Sequence, residues 1–387
     1  MRILATITVV TLPLLSGVAT FGSDRAGAQT PAVPPPIVSS RPGVPGQRMM
    51  IAWRPGPVTC DGGPIATVAP PAPEPSLGWA SNALITPQRF TFGIDARGRP
   101  LGIARAVGGQ AIYSGDLAPS LAAALFAPGA ARTGCSVSFV ATAMPLDAAP
   151  IDMLIAYSLA PQNGQLPRAA FERILPAGTT CINPPPALRS RAYPDFKALP
   201  HPAGRRDWSM TGYDIDRQGR PVRIRIVAST GNAALDRASI VAVSKSRFEP
   251  GERTGCRYPY WVAAAPLPAP PLPDSPGQPD QGNCADEASW QVKPVLAYPD
   301  AYRRRGIEGW ARIAYDVAPW GAIGNLRVIA SEPSADFGAA ALQTIRGATK
   351  APSLQGRSNC VTRVRFVMAA SDHRNPSAPS EEGPPPF

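Results

Sequence analysis

Six cysteines divide this 387-residue chain at nearly equal intervals. Cys60 and Cys135 are 75 positions apart, Cys181 and Cys256 are 75 apart, and Cys284 and Cys360 are 76 apart. Of the pairings that six cysteines permit, this spacing selects those three. Each pair brackets a glycine near its midpoint: Gly98, Gly219 or Gly321. Such periodicity implies an internal repeat of roughly a hundred residues.

The segments between the cysteines agree in kind. Two strand-like runs flank each glycine: FTFGIDARGRPLGIARA, WSMTGYDIDRQGRPVRIRIVAS and ARIAYDVAPWGAIGNLRVIAS. In the middle copy Val222, Ile224 and Ile226 alternate with Arg223 and Arg225, the pattern of a strand with one buried face. A helical stretch follows in each: LAPSLAAALFAPG, LDRASIVAVSKSRFEPG and FGAAALQTIRGATKAPS. For the middle helix Asn232 is the expected N-cap, Asp236 suits the positive helix start, and Pro250-Gly251 is the expected stop. A last strand begins at the second cysteine: CSVSFVATA, CRYPYWVAA and CVTRVRFVMAA. The expected fold class is α+β, three tandem small domains, each a three-stranded antiparallel sheet with one packed helix in the order strand-strand-helix-strand.

One helix over three strands gives a thin core. A disulfide closing a loop of that length contributes about 4 kcal/mol in the chain-entropy model, comparable with the whole stability of a small domain. There is no Cys-x-x-Cys and no Cys-His cluster, and the spacing is far too wide for a zinc knuckle. Free structural thiols are the remaining alternative to bridges.

The chain also carries 49 prolines and 35 glycines, far above average usage, and these belong mainly in connecting segments. Residues 1–28 read as an export signal: Met1-Arg2, an apolar stretch from Ile3 to Thr20, then Ala26-Gly27-Ala28 before a cut after Ala28. The alternative is an uncleaved anchor, since about 20 apolar residues suffice to span a bilayer. Residues 29–57 are expected to be a Pro-rich disordered segment, 58–150 a divergent first domain, and 151–178 a partly structured connection. There, DMLIAYSL is expected as a strand and LPRAAFERIL as a short helix. Domains at 179–263 and 284–370 are separated by a Pro-rich linker, 264–283, and a disordered tail occupies 371–387.

The formal net charge is +11, enough to attract anionic envelope polymers or lipid headgroups. The basic residues are scattered, however, and no recognition-motif spacing points to nucleic acid. Export into an oxidising compartment makes the bridges possible.

The second and third copies resemble the TonB C-terminal domain family. The resemblance rests on Tyr193-Pro194, Ser229-Thr230-Gly231, Leu235-Asp236 and Arg247-Phe248-Glu249-Pro250 in the second. In the third it rests on Tyr298-Pro299, Gly306-Ile307-Glu308-Gly309 and Val328-Ile329-Ala330-Ser331. The first copy matches only in its hairpin, helix and last strand. What the resemblance implies is a periplasmic module that grips the N-terminal peptide of an outer-membrane transporter, or another envelope protein, by strand addition. Val361–Val367 is then the candidate edge, with Arg363 and Arg365 on one face and Val364 and Phe366 on the other; Val361 opens it. Such arginines also discourage unwanted edge pairing. Family transducers resemble a membrane anchor, a long spacer and one such domain. A cleavable signal, three copies, a cysteine pair in each and a short spacer depart from that plan, so a structural envelope scaffold without peptide binding is the alternative. Membrane contact is expected only if the N-terminal segment stays uncleaved.

Nothing points to an enzyme, a cofactor or a metal. The two histidines are His201, in a Pro-bounded loop, and His373, in the tail; no Ser/His/Asp arrangement recurs. DIDRQG from Asp214 imitates the start of a calcium loop, but its twelfth position is Arg225 rather than glutamate. No phosphate-cradling or dinucleotide-binding glycine motif is present.

Overall fold

The computed structural model describes residues 46–80, 85–106, 111–273, 284 and 290–368. The export segment, the end of the Pro-rich linker and the tail with His373 lie outside the described residues. The described residues fall in one compact unit.

In the first third of the chain lie β1 (Arg48–Pro55), β2 (Thr59–Cys60), β3 (Gly63–Pro64), β4 (Thr67–Ala69), β5 (Ser76–Trp79), β6 (Gln88–Ile94), β7 (Pro100–Arg105), α1 (Leu117–Ala122), β8 (Leu125–Phe126) and β9 (Arg132–Pro145). Two helices follow, α2 (Ile151–Leu159) and α3 (Arg168–Glu172). The middle third holds β10 (Leu188–Ser190), β11 (Asp207–Ile215), β12 (Pro221–Ser229), α4 (Ala233–Lys245), β13 (Arg247–Phe248) and β14 (Arg253–Val262). The last third holds β15 (Trp290–Val292), α5 (Asp300–Arg304), β16 (Gly309–Val317), β17 (Ile323–Glu332), α6 (Ala335–Arg346), β18 (Thr349–Lys350) and β19 (Arg357–Phe366).

The same wiring occurs three times. A hairpin, β6-β7, β11-β12 or β16-β17, is followed by a helix and a final strand that pairs antiparallel with the hairpin's first strand. A short strand ahead of each hairpin pairs with the short strand after the helix: β4 with β8, β10 with β13, β15 with β18. The structure joins Cys60 to Cys135, Cys181 to Cys256 and Cys284 to Cys360, as the spacing implies. Gly98, Gly219 and Gly321 have φ of +85°, +78° and +91°, which L side chains rarely adopt. Each carbonyl accepts from the short strand after the helix, from Phe126, Phe248 and Lys350 N–H, all at 2.9 Å. A Cβ on any of the three would lie about 2 Å from that strand's carbonyl oxygen. The hairpin turn is therefore pinned against the strand that ends the helix, which is why glycine occurs at the midpoint of all three copies.

Local signals set the helices. Asn232 caps α4, its side chain accepting from Leu235 N–H at 3.1 Å, and Ser334 caps α6 by accepting from Asp336 N–H at 3.2 Å. Helix α4 stops before the expected Pro250-Gly251, at Lys245, because Arg247-Phe248 leaves to pair with β10 and reach Gly219. Ser246 Oγ donates to Ala242 O at 3.0 Å at this end.

Three further expectations are corrected. The segment expected to be disordered over 29–57 contains β1, in which Met49 through Trp53 are buried. This strand is covered on both faces, so it shows a continuous apolar run instead of alternation. DMLIAYSL is helical, not a strand: α2 begins after Pro150 and buries Leu154, Ile155 and Tyr157. The linker expected from residue 264 is bonded into the fold at its start. Leu267 N–H donates to Gly306 O at 2.8 Å, its carbonyl accepts from Glu308 N–H at 2.9 Å, and Trp310 Nε1 donates to Pro270 O at 2.9 Å.

The copies do not stand apart. One core contains Phe90, Ile103 and Leu117 from the first copy with Tyr302, Phe337 and Ile345 from the third. A second core packs Met50 and Leu77 on α2, and α2 on Trp208 and Met210 of β11. Where the copies converge, Arg305 at the end of α5 is buried together with Asp116, at the N-cap of α1. Its Nε donates to Asp116 Oδ1 at 2.7 Å, Nη1 to Gly204 O at 3.1 Å and Nη2 to Ala72 O at 2.9 Å. Asp116 also accepts from Glu74 N–H at 2.7 Å. Burial opposes the charge on Arg305, but Asp116 outweighs it and the guanidinium is held above its ordinary pKa. One side chain of the third copy thus bonds to both of the others. Removing one partner of a buried pair leaves the other charge uncompensated, at about 3–5 kcal/mol. Arg305→Met is expected to lower the unfolding free energy of the full chain by that amount, and Arg305→Met with Asp116→Leu to recover much of it. Chemical denaturation of both variants checks this.

Candidate functional site

Strand β19 is the candidate edge. Its inner side pairs with β16 from Gly309↔Phe366 to Val317↔Arg357. The sheet order is β17-β16-β19, and among the described residues no strand pairs with the outer side of β19. The faces divide as the alternation requires. Val364 and Phe366 are buried under α6, with the Phe366 ring 5.1 Å from Phe337 and 5.6 Å from Tyr298. Arg363 and Arg365 are exposed, and among the described residues neither makes an ion pair. Arg363 stands opposite Arg312 and Arg365 opposite Trp310. Val361 is half-buried, and Val367 lies just past the strand, exposed. Met368 N–H donates to Glu308 Oε1 at 2.9 Å and fixes the strand's exit.

The start of β19 is held by Asp316, which accepts from Asn325 Nδ2 at 2.6 Å and from Asn359 N–H at 2.8 Å. The second copy repeats the device: Asp214 accepts from Arg223 Nε at 2.6 Å and Gly255 N–H at 2.5 Å. The bond from Asn325, then that from Asn359, hold the Asp316 carboxyl below its ordinary pKa. At Asp214 burial works against the charge, but these bonds prevail and its pKa is lowered too.

The motif that imitates a calcium loop is therefore a brace between strands. Asp216, its third residue, caps its own turn by accepting from Gln218 N–H at 2.9 Å and Arg220 N–H at 2.8 Å. His201 is likewise engaged, with Nδ1 2.9 Å from Ala263 O and Nε2 2.9 Å from Phe196 O. No group of three potential metal-ligating side chains occurs among the described residues.

Residues 203–266 and 294–368 match the family model of the Gram-negative bacterial TonB protein C-terminal. These two segments belong to the TonB C-terminal family. The TonB-like segments coincide with the second and third copies, and β19 lies inside the second match. The first copy, outside both, shares their strand and helix order. Comparison with curated proteins finds no match. No helix among the described residues is long and apolar enough to cross a membrane.

Residues that sequence reasoning did not single out include Asp116 and Arg305, which fix how the first and third copies meet, and β1. A depressed carboxylate pKa stabilises the fold above the ordinary carboxylate value, and that stabilisation is lost as pH falls through the folded value. Asp316→Ala is therefore expected to accelerate amide exchange around Asn359 at neutral pH. In the parent the same region should loosen only below the ordinary carboxylate range, as exchange measured against pH would reveal.

Proposed function

We propose that this chain is an exported, non-catalytic TonB-like envelope protein that recognises an extended peptide of another envelope protein by strand addition at β19. The observation that carries this reading is an outer strand edge beside which no strand lies among the described residues, in a segment that matches the TonB C-terminal family. Unpaired backbone N–H and C=O groups along an edge are a template for another strand. The proposed partner is the N-terminal peptide of an outer-membrane transporter, which links the chain to TonB-dependent transport across the outer membrane. The proposed site of action is the periplasm, after removal of the segment ending at Ala28.

A second reading, a structural envelope scaffold that binds no peptide, is favoured by the burial between the first and third copies. Chemical shifts of the full chain, followed while transporter N-terminal peptides are added, separate the two. Changes centred on Val361–Val367 are expected. Unchanged spectra with several such peptides would favour the scaffold.

A further inference from the structure

The three copies differ in the sequence that precedes their first cysteine, and in the first copy that sequence pairs with the outer edge of the final strand. In the first copy β9 bonds to β6 on its inner side, from Arg132 to Phe139. On its outer side β2 pairs at Cys135 and Ser136, Gly56 N–H donates to Ser138 O at 2.7 Å, and β1 pairs antiparallel from Phe139 to Pro145. Cys135, Ser136 and Phe139 face a strand on both sides, so β1 and β2 lie on the outer edge, the counterpart of the outer edge of β19. Strand β1 is firmly seated there. Met49, Ile51 and Trp53 enter the core shared with the third copy, and Met50 enters the core against α2.

At the matching distance ahead of Cys181 the chain reads AAFERILP and is partly helix α3, whose neighbouring Ile174 carbonyl accepts from Arg257 on β14. At the matching distance ahead of Cys284 it reads LPDSPGQP, residues 272–279. Three of these eight residues are prolines, which carry no backbone N–H.

We propose that the first copy is permanently complemented by the chain's own strand β1, and that the third copy's β19 carries the open edge, selective for an extended peptide with carboxylates at alternate positions. The proposal rests on the recognition reading above. Residues directly opposite across paired strands project to the same face, about 5 Å apart. A strand added to β19 places alternate side chains opposite Arg363 and Arg365. Both are exposed and in no ion pair among the described residues. The intervening side chain falls opposite Val364, on the face that α6 covers. Acidic residues at alternate positions with an apolar residue between them satisfy both faces.

The test is amide hydrogen exchange of the full chain, read by mass spectrometry, alone and with two synthetic peptides. One alternates Glu with Val and the other alternates Lys with Val. In the free chain Val140–Met144 is expected to exchange slowly. The Glu peptide is expected to slow exchange at Val361–Phe366 and leave Val140–Met144 unchanged. The double variant Arg363→Glu, Arg365→Glu is expected to bind the Glu peptide about tenfold more weakly and to bind the Lys peptide instead. A variant that merely lost structure would not reverse its preference.

Fast exchange at Val140–Met144 in the free chain, or slowing there when peptide is added, would overturn the self-complementation and leave peptide recognition standing. Equal slowing of β19 by both peptides would overturn the selectivity. No slowing by either peptide, with Val140–Met144 already protected, would remove the recognition reading and the open edge while leaving the first copy complemented.

Discussion

The buried pair of Arg305 and Asp116 is the constraint on which the arrangement of the copies depends. A guanidinium removed from water is costly unless its donors are met, and here they are met by groups from both other copies: Asp116 and the Ala72 carbonyl from the first, the Gly204 carbonyl from the second. The pair joins the third copy to the first, and the bond to Gly204 adds the second. It lies beside the core in which Phe90 and Leu117 share space with Tyr302 and Phe337. Apolar burial supplies the attraction between copies, and the fixed geometry of one arginine specifies how they meet.

Within that frame the repeats have diverged by exchanging the segment ahead of the first cysteine. The hairpin, the helix, the pinned glycine and the cysteine bridge are kept in all three, because each is needed to close a small sheet under a single helix. The preceding segment is free to vary: strand β1 in the first copy, helix α3 in the second, a proline-rich stretch in the third. In the first copy β1 and β2 fill the final strand's outer edge, whereas among the described residues no strand pairs with the outer edge of β19. Enlargement of the first sheet to seven strands is the structural trace of this choice.

Much of the repeat was legible in the sequence. The cysteine spacing and the three glycines identified the unit, and Arg363, Val364, Arg365 and Phe366 alternate as a half-buried strand must. Asn232 announced the start of α4, yet its end was hidden, because Arg247-Phe248 is drawn into a strand by the distant Gly219. Strand β1 was illegible for a different reason. Met49 to Trp53 is buried on both faces, so its apolar run has no period, and prolines surround it. Leu154, Ile155 and Tyr157 gave a run too short to separate helix from strand. Arg305 sits in the run Arg303-Arg304-Arg305, and nothing local distinguishes the buried arginine from its two neighbours; only the fold brings Asp116, Gly204 and Ala72 around it.

An open edge is useful for recognition only if the sheet behind it is held firmly. Here the third copy is held by the first through a common core and by the second through Arg305 and the strap from Ala265 to Pro270. With these shared cores and bonds the three copies form one cooperative body, not a string of separate domains. Differential scanning calorimetry of the full oxidised chain tests it most directly. The account predicts a single transition with equal calorimetric and van't Hoff enthalpies. Two or more separable transitions, each carrying the enthalpy of a domain of roughly a hundred residues, would contradict it.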